Sequence, residues 1–170
     1  MARVGIFYGS TSYATEGVAK LVQAEFGIES ADLYNVKSAR AEDFAGYDLL
    51  VFGTSTWGFG GLQHDWDAFI RELDRADLSM RPVAVFASGD QRVWSTTFVN
   101  SMGIVYDKLV ERGARVVGRW PVDGYDFDES LAVRQGRFVG LPLDRMNQRD
   151  LTEGRVREWV AQLRSEAGSS

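Results

Sequence analysis

Arg3-Val4-Gly5-Ile6-Phe7-Tyr8-Gly9-Ser10-Thr11-Ser12-Tyr13-Ala14-Thr15 is an apolar run that stops in a hydroxyl-rich turn and then enters a helix. Val4–Tyr8 lacks the in/out alternation of a half-exposed strand, so it reads as a strand covered on both faces. Beyond the turn, Val18, Leu21, Val22 and Phe26 recur at the spacing of one buried helix face. A helix start leaves four backbone N–H groups unpaired and concentrates partial positive charge, which suits a phosphate. Hydroxyls at Ser10, Thr11, Ser12 and Thr15 add donors, while no Lys or Arg stands between Arg3 and Lys20. Such a cradle would grip phosphate through N–H and O–H groups without countercharge, and it lacks the lysine of a triphosphate-cleaving P-loop. A plain Ser/Thr-capped helix explains the same residues. This segment alone leaves the two readings balanced.

The strand-then-helix pattern recurs along the chain. Leu49–Phe52, Val83–Phe86 and Val116–Val117 are further short apolar runs, and Ala31–Val36 is a weaker fifth candidate. A short helix is expected around Ala41–Phe44. Trp66, Phe69, Ile70 and Leu73 mark a third, and Phe98, Met102, Val105 and Leu109 a fourth. Val156, Trp159, Val160 and Leu163 mark the last, with Thr152 as its N-cap. This alternation predicts a doubly wound α/β fold, a five-stranded parallel sheet with right-handed crossovers and helices on both faces. Residues 1–170 are expected to form a single domain. The polar, Gly- and Asp-rich stretch 122–140 reads as an insertion in the last strand, which resumes at Leu141-Pro142-Leu143. A proline is tolerated there because a terminal strand has one unpaired side. Residues 167–170 are expected to be a loose tail.

The chain has no cysteine and one histidine, His64. Disulfides, thiolate nucleophiles and cysteine-ligated clusters are therefore excluded, and a lone His does not build a metal site. Any redox chemistry must come from a bound cofactor. A formal charge of −5 argues against nucleic acid and favours partners with a positive docking surface. No apolar leader follows Met1-Ala2-Arg3 and no membrane-length apolar stretch occurs, so a cytoplasmic location is expected.

In an open parallel sheet, ligands bind beyond the carboxyl ends of the strands. Three strand-end loops meet there: Gly9–Thr15, then Thr54-Ser55-Thr56-Trp57-Gly58-Phe59-Gly60-Gly61, then Ser88-Gly89-Asp90-Gln91-Arg92-Val93-Trp94. Two of them carry a tryptophan, and an exposed loop tip suits an indole when something flat covers it. Either ring alone would more often fold back as satellite core. Both together, beside a phosphate-type turn, fit a planar heteroaromatic with a phosphorylated tail held between two indoles.

With these residues in view, the chain resembles the flavodoxins, and among them the long-chain branch, from Val4 to about Leu163. The resemblance rests on Gly9-Ser10-Thr11-Ser12 with Thr15, Thr56-Trp57-Gly58, Leu62-Gln63-His64-Asp65-Trp66, Gly89-Asp90-Gln91, Asp123-Gly124-Tyr125-Asp126-Phe127, and Leu141–Asp144 with Asn147-Gln148. It implies strand order 2-1-3-4-5 and a noncovalent FMN. The phosphate would lie on Ser10, Thr11, Ser12, Tyr13, Ala14 and Thr15. The ring would lie between Trp57 and Trp94, with edge contacts from Ser55, Thr56, Gly58, Phe59, Gly60, Ser88, Gly89 and Asp90, and with Thr97 and Phe98 beside it. Several positions depart from the family pattern. Tyr13 stands where Gly is usual, so a positive φ there would be strained. Trp94 replaces the usual Tyr, Ser55 a frequent Pro, Gly61 an acidic residue, Thr97 a frequent Asn, and Met146 an acidic residue near the ribityl chain.

The function so implied is a low-potential one-electron carrier that shuttles electrons between redox proteins and turns over no substrate. A carbonyl after Trp57, freed to flip by Gly58, would bond N5 of the neutral semiquinone. Asp65, Asp67, Asp90, Asp123, Asp126 and Asp128 on one rim would oppose an anionic hydroquinone. At about 10 Å and an effective dielectric near 20, each such charge would cost about 1.7 kcal/mol before salt screening. The implied partners have basic docking faces, among them an NADP-linked flavodoxin reductase, a pyruvate oxidoreductase or a nitrogenase reductase. No nucleic acid or membrane is implied, and the protein is expected to be a monomer. The competing reading is an FMN-dependent NAD(P)H:quinone oxidoreductase of the same fold, which needs open space over the ring. A phospho-receiver would need paired acids after the first strand and an Asp ending the third. Gly9-Ser10 and Gly53-Thr54 stand there instead. A cofactor-free interaction domain would be colourless.

Overall fold

The computed structural model describes residues 2–9, 13–57 and 60–168. β1 (Val4–Tyr8) leads into α1 (Ala14–Phe26), β2 (Ala31–Asn35), a 3-10 turn at Ala41–Phe44, and β3 (Leu49–Trp57). β4 (Gly61–Leu62) folds back antiparallel on the end of β3. α2 (His64–Phe69) runs into a 3-10 segment at Ile70–Arg75, followed by β5 (Pro82–Ser88), α3 (Asn100–Glu111) and β6 (Arg115–Val116). Then come β7 (Trp120–Pro121), β8 (Val133–Arg134), β9 (Arg137–Phe138), β10 (Leu141–Leu143), a 3-10 turn at Arg149–Leu151, and α4 (Thr152–Ala167).

The parallel sheet runs β10-β5-β3-β1-β2, the expected order with the fifth strand in two pieces. β6 pairs with the beginning of β5, Pro82 opposite Arg115, and β10 pairs with its end, Ser88 opposite Leu143. Both faces are covered, which is why the strands read as unbroken apolar runs. Phe7, Leu50, Phe52, Val83 and Val85 face one core with Trp66 of α2 and Met102, Val105 and Leu109 of α3. Their neighbours Ile6, Tyr8, Val51, Ala84 and Phe86 face the other, with Val18 and Val22 of α1 and Val156, Trp159 and Val160 of α4. Pro142 sits in terminal strand β10, as expected.

Four expectations about elements need correction. Ile70 and Leu73 lie in a 3-10 segment rather than in α2; apolar spacings of three fit both helix types. α3 begins at Asn100, after Val99 at φ 46°, so Phe98 precedes the helix. Thr152 is the first residue of α4, not its N-cap, because the 3-10 turn before it enters the helix directly. Ala167 is helical rather than part of a loose tail, since the Arg115 guanidinium donates to the carbonyls of Glu166 and Ala167 at 3.1 Å each. Ser169 and Ser170 lie outside the described residues.

The insertion starts earlier than residue 122 and has structure of its own. Val117 N–H still bonds Val83 O, Gly118 turns the chain away at φ 81°, and β7, β9 and β8 form a small antiparallel sheet. Phe138 anchors it among Phe98, Tyr125 and Phe127, ring centroids 5.1–6.0 Å apart. The chain re-enters the parallel sheet at Gly140, where a Cβ would overlap the backbone oxygen of Val85. Gly140→Ala should therefore separate β10 from β5 and lower stability by about 3 kcal/mol, the upper range for overpacking. Urea unfolding would check this, and a loss below about 1 kcal/mol would mean that the seam tolerates the methyl.

Candidate functional site

Parallel register brings the strand ends level. Tyr8 lies opposite Gly53, Ser55 opposite Ser88, and Ser88 opposite Leu143. Gly9 N–H continues the ladder to Gly53 O at 3.1 Å, and the Trp66 indole donates to the same oxygen at 2.8 Å. The turn before α1, the end of β3, the loop after β5 and the loop after β10 all emerge at one edge of the sheet.

At the first loop, Ser10, Thr11 and Ser12 lie outside the described residues. Tyr13 occupies the N-cap of α1 at φ 63° and makes no side-chain capping bond. The strain anticipated for a tyrosine at this position is present, and the ring is 77% exposed. A Ser/Thr-capped helix, the competitor of the phosphate cradle, is therefore not what stands at this N-cap. Ala14 opens the helix and Thr15 is buried.

At the second loop, Ser55 is half-buried. The Thr56 hydroxyl donates to Ser101 Oγ and accepts from the Ser101 N–H, both at 3.0 Å. It bolts β3 to α3, which commits the hydroxyl proton of Thr56 within the protein. The Trp57 side chain, Gly58 and Phe59 lie outside the described residues. Gly60 has φ 97°, and a Cβ there would stand 2.7 Å from Asn100 Nδ2. Asn100 in turn accepts the Leu131 N–H at 2.7 Å, tying this loop to the insertion.

At the third loop, Gly89 N–H donates to Leu143 O at 3.0 Å. Asp90 Oδ1 accepts the N–H groups of Arg92 and Val93 at 3.0 Å and Asn147 Nδ2 at 2.8 Å. One oxygen of this carboxylate thus shapes its own turn. Trp94 stands at the tip, 43% exposed, its N–H bonded to Asp90 O at 3.0 Å. Ser88 Oγ and Thr97 Oγ1 are buried with no partner among the described residues. Phe98 is wholly buried, with its ring against Tyr125, Phe127 and Phe138. It supports the edge from behind and presents no ring face to it, contrary to its placement from sequence.

The residue whose role sequence reasoning missed is Asp144. Its Oδ2 accepts Gln91 N–H at 3.0 Å, Gln91 Nε2 at 2.8 Å and Asn147 Nδ2 at 2.8 Å, while Oδ1 accepts the N–H groups of Met146 and Asn147 at 3.1 and 3.0 Å. Gln91 Oε1 accepts the Asp126 N–H at 2.6 Å, which carries the network into the insertion. Burial pushes the Asp144 carboxyl upward, but the hydrogen bonds from Asn147 and Gln91 outweigh it and hold the group below its ordinary range. An aspartate directly after a buried strand, with Asn three residues on, is the sequence signal of such a turn.

The expected acidic rim is partly engaged elsewhere. Asp128 accepts Ser95 Oγ at 2.8 Å and Asp65 accepts Gln63 Nε2 at 3.2 Å. Asp67 lines a separate cleft with Lys37, Arg40 and Arg71. Asp123 and Asp126 are exposed on the insertion.

The sequence model of the family described as Flavodoxin matches residues 6–159. The chain belongs to the flavodoxin family. It is 45% identical to a flavodoxin of Synechococcus elongatus over 169 residues, covering 99% of each chain. To Flavodoxin 1 of Azotobacter vinelandii it is 44% identical over 170 residues, covering 98% of each. In structure it is similar to a Fusobacterium nucleatum flavodoxin bound to flavin mononucleotide, with TM-score 0.92, 27% identity, and 98% and 99% of the two chains covered. Both sequence relatives match nearly end to end.

Two outcomes follow from these flavodoxin loops. Asp144→Asn sets an NH2 against buried donors in either rotamer and should cost about 3 kcal/mol, the range for unsatisfied buried groups beside a lost charge. Because the folded carboxyl titrates below its ordinary value of 3.8, its contribution is complete above that value and fades as pH falls through the folded value. Urea midpoints of the two proteins should therefore differ fully at neutral pH and converge in acid. Tyr13→Gly should raise apoprotein stability by about 1 kcal/mol by relieving the left-handed backbone, and an unchanged midpoint would show that the ring offsets its own strain.

Proposed function

We propose that this chain holds FMN at the edge where the strand-end loops meet and carries electrons one at a time between redox proteins, with no substrate of its own. The reading is carried by one coincidence. A helix entry without a side-chain cap, the buried partnerless hydroxyls of Ser88 and Thr97, and the half-exposed indole of Trp94 share one sheet edge. Each fits a different part of one molecule. The α1 start with Ser10, Thr11, Ser12 and Thr15 suits the phosphate. The hydroxyls, with the backbone of residues 55–60 and 88–90, suit the polar ring edge. Trp94 and Trp57 suit the two ring faces. The fold shared with the FMN-bound Fusobacterium nucleatum flavodoxin supports the same assignment.

When bound, FMN supplies electron storage in one- or two-electron steps. The chain's residues set how exposed that store is. Trp94 and its neighbour Val93 are exposed in the loop after β5, and in the proposed arrangement they would take the room that a second substrate needs over the ring, which favours electron transfer over NAD(P)H:quinone oxidoreduction. Asp90, Asp123, Asp126 and Asp128 lend the surface beside these loops negative charge, which draws basic partners and weakens with salt. A flavodoxin reductase, a pyruvate oxidoreductase or a nitrogenase reductase with a basic face is the kind of partner proposed. Among the described residues no helix is long and apolar enough to cross a membrane. A monomeric, single-domain protein acting in the cytoplasm completes the proposal.

Anaerobic reductive titration of the yellow protein should pass through two separable one-electron stages, read from its visible spectrum. A single two-electron stage together with rapid turnover of NAD(P)H and a quinone would instead support the oxidoreductase reading. Gly58→Pro should diminish the intermediate stage, because the peptide after Trp57 would lose its freedom to turn.

A further inference from the structure

We propose that Arg145 is the countercharge for the FMN phosphate, seated against the first turn of α1 in a space that Gly17 leaves open. The proposal rests on the FMN reading above and adds to it a cation that the local sequence does not contain. No Lys or Arg lies between Arg3 and Lys20, yet the chain brings a guanidinium back to this turn from the loop after β10. A Cβ on Gly17 would stand 2.7 Å from Arg145 Nη1 and 3.9 Å from its Cζ. Glycine lets the guanidinium lie directly against the helix, where any Cβ would make the arginine's flexible end move outward. Gly17 lies within α1, where nothing in the helical backbone calls for glycine and alanine would be the better helix former. Its value there is the space.

The surrounding charges leave Arg145 available. It makes no ion pair among the described residues. Glu16, the acid of the first turn, is 3.5 Å from Lys20. Arg149, Asp150 and Glu153 line the same cleft as Gly17 and Arg145, and none of their carboxylates comes within ion-pair distance of Arg145. Gly17 stands three residues after Ala14, about 4.5 Å up the helix at 1.5 Å per residue. The guanidinium is therefore within roughly 10 Å of an anion at the helix start, inside a Debye length at 0.1 M salt.

This placement gives opposite signs in the two states of the protein. Without an anion, a cation near a helix N-terminus faces the positive end of the helix dipole and is mildly unfavourable. With a phosphate bound there, the same charge becomes attractive. A residue that merely packs would act alike in both states.

The test titrates apoprotein with FMN and, separately, with riboflavin, which has the ring but no phosphate. Arg145→Gln should weaken FMN binding about five- to tenfold at low salt, a gap that narrows as salt rises. It should leave riboflavin affinity unchanged and the urea midpoint of the apoprotein unchanged or higher. Arg145→Lys, which keeps the charge, should retain most of the FMN affinity. Equal weakening of both ligands would make Arg145 a packing residue and overturn the proposal, as would FMN affinity that does not change. Failure of the unaltered protein to bind FMN would overturn the flavin reading itself and this proposal with it.

Discussion

The buried carboxylate of Asp144 accepts five hydrogen bonds from Gln91, Met146 and Asn147, and it lies where three otherwise separate pieces of chain meet. A charge removed from water is costly unless hydrogen bonds replace the lost solvent. Here they do, to the point of holding the group ionised despite its burial. The loop after β5 is fixed through Gln91 and, by way of Asn147, through Asp90. The loop after β10 is fixed through its own N–H groups. The insertion is reached through Gln91 and Asp126. The outer wall of this sheet edge is thus a single hydrogen-bonded assembly, and the Trp94 backbone is tied to it through the Asp90 carbonyl.

Burial on both faces made the sheet legible. Val4–Tyr8, Leu49–Phe52 and Val83–Phe86 are apolar without alternation because helices lie on either side, and α1 runs from Ala14 to Phe26 as its periodicity implies. The last strand was readable only in outline. β6 and β10 are each two or three residues long, and the strands of the insertion are two residues long, too short for any alternation to register. Their positions are set by distant partners: Val85 against Gly140, and Phe138 against Phe98, Tyr125 and Phe127. The missed cap at Thr152 has a different origin, since a 3-10 turn can run into a helix and leave no residue extended.

The loops of the site were readable as residue types but not as directions. Ser55, Thr56, Ser88 and Thr97 all looked like donors for a ligand. In the fold the Thr56 hydroxyl is taken by Ser101, whereas those of Ser88 and Thr97 are buried without a partner among the described residues. Register and packing decide between these outcomes, and both depend on residues far away in sequence. The same limit applies to charge. A local reading finds a phosphate turn with no cation near it, while Arg145 lies beside Gly17 because the loop after β10 returns to α1.

The proposed reading asks a protein of net negative charge to hold a phosphate, which requires short-range and long-range fields of opposite sense. Screening makes that possible. Beyond about 10 Å, surface carboxylates are strongly attenuated by salt, while N–H groups at a helix start meet an anion directly and a guanidinium within roughly 10 Å of it still lies inside the Debye length. The strain at Tyr13 belongs to the same balance. A left-handed residue at the N-cap costs about 1–2 kcal/mol and turns the chain abruptly into α1. Val99, also left-handed, enters α3 in the same way and packs its side chain beneath Gly89. Both α1 and α3 are thus entered through a strained residue. At Val99 the strain is offset by packing: its side chain lies against Gly89, and the adjoining Phe98 ring is wholly buried against Tyr125, Phe127 and Phe138.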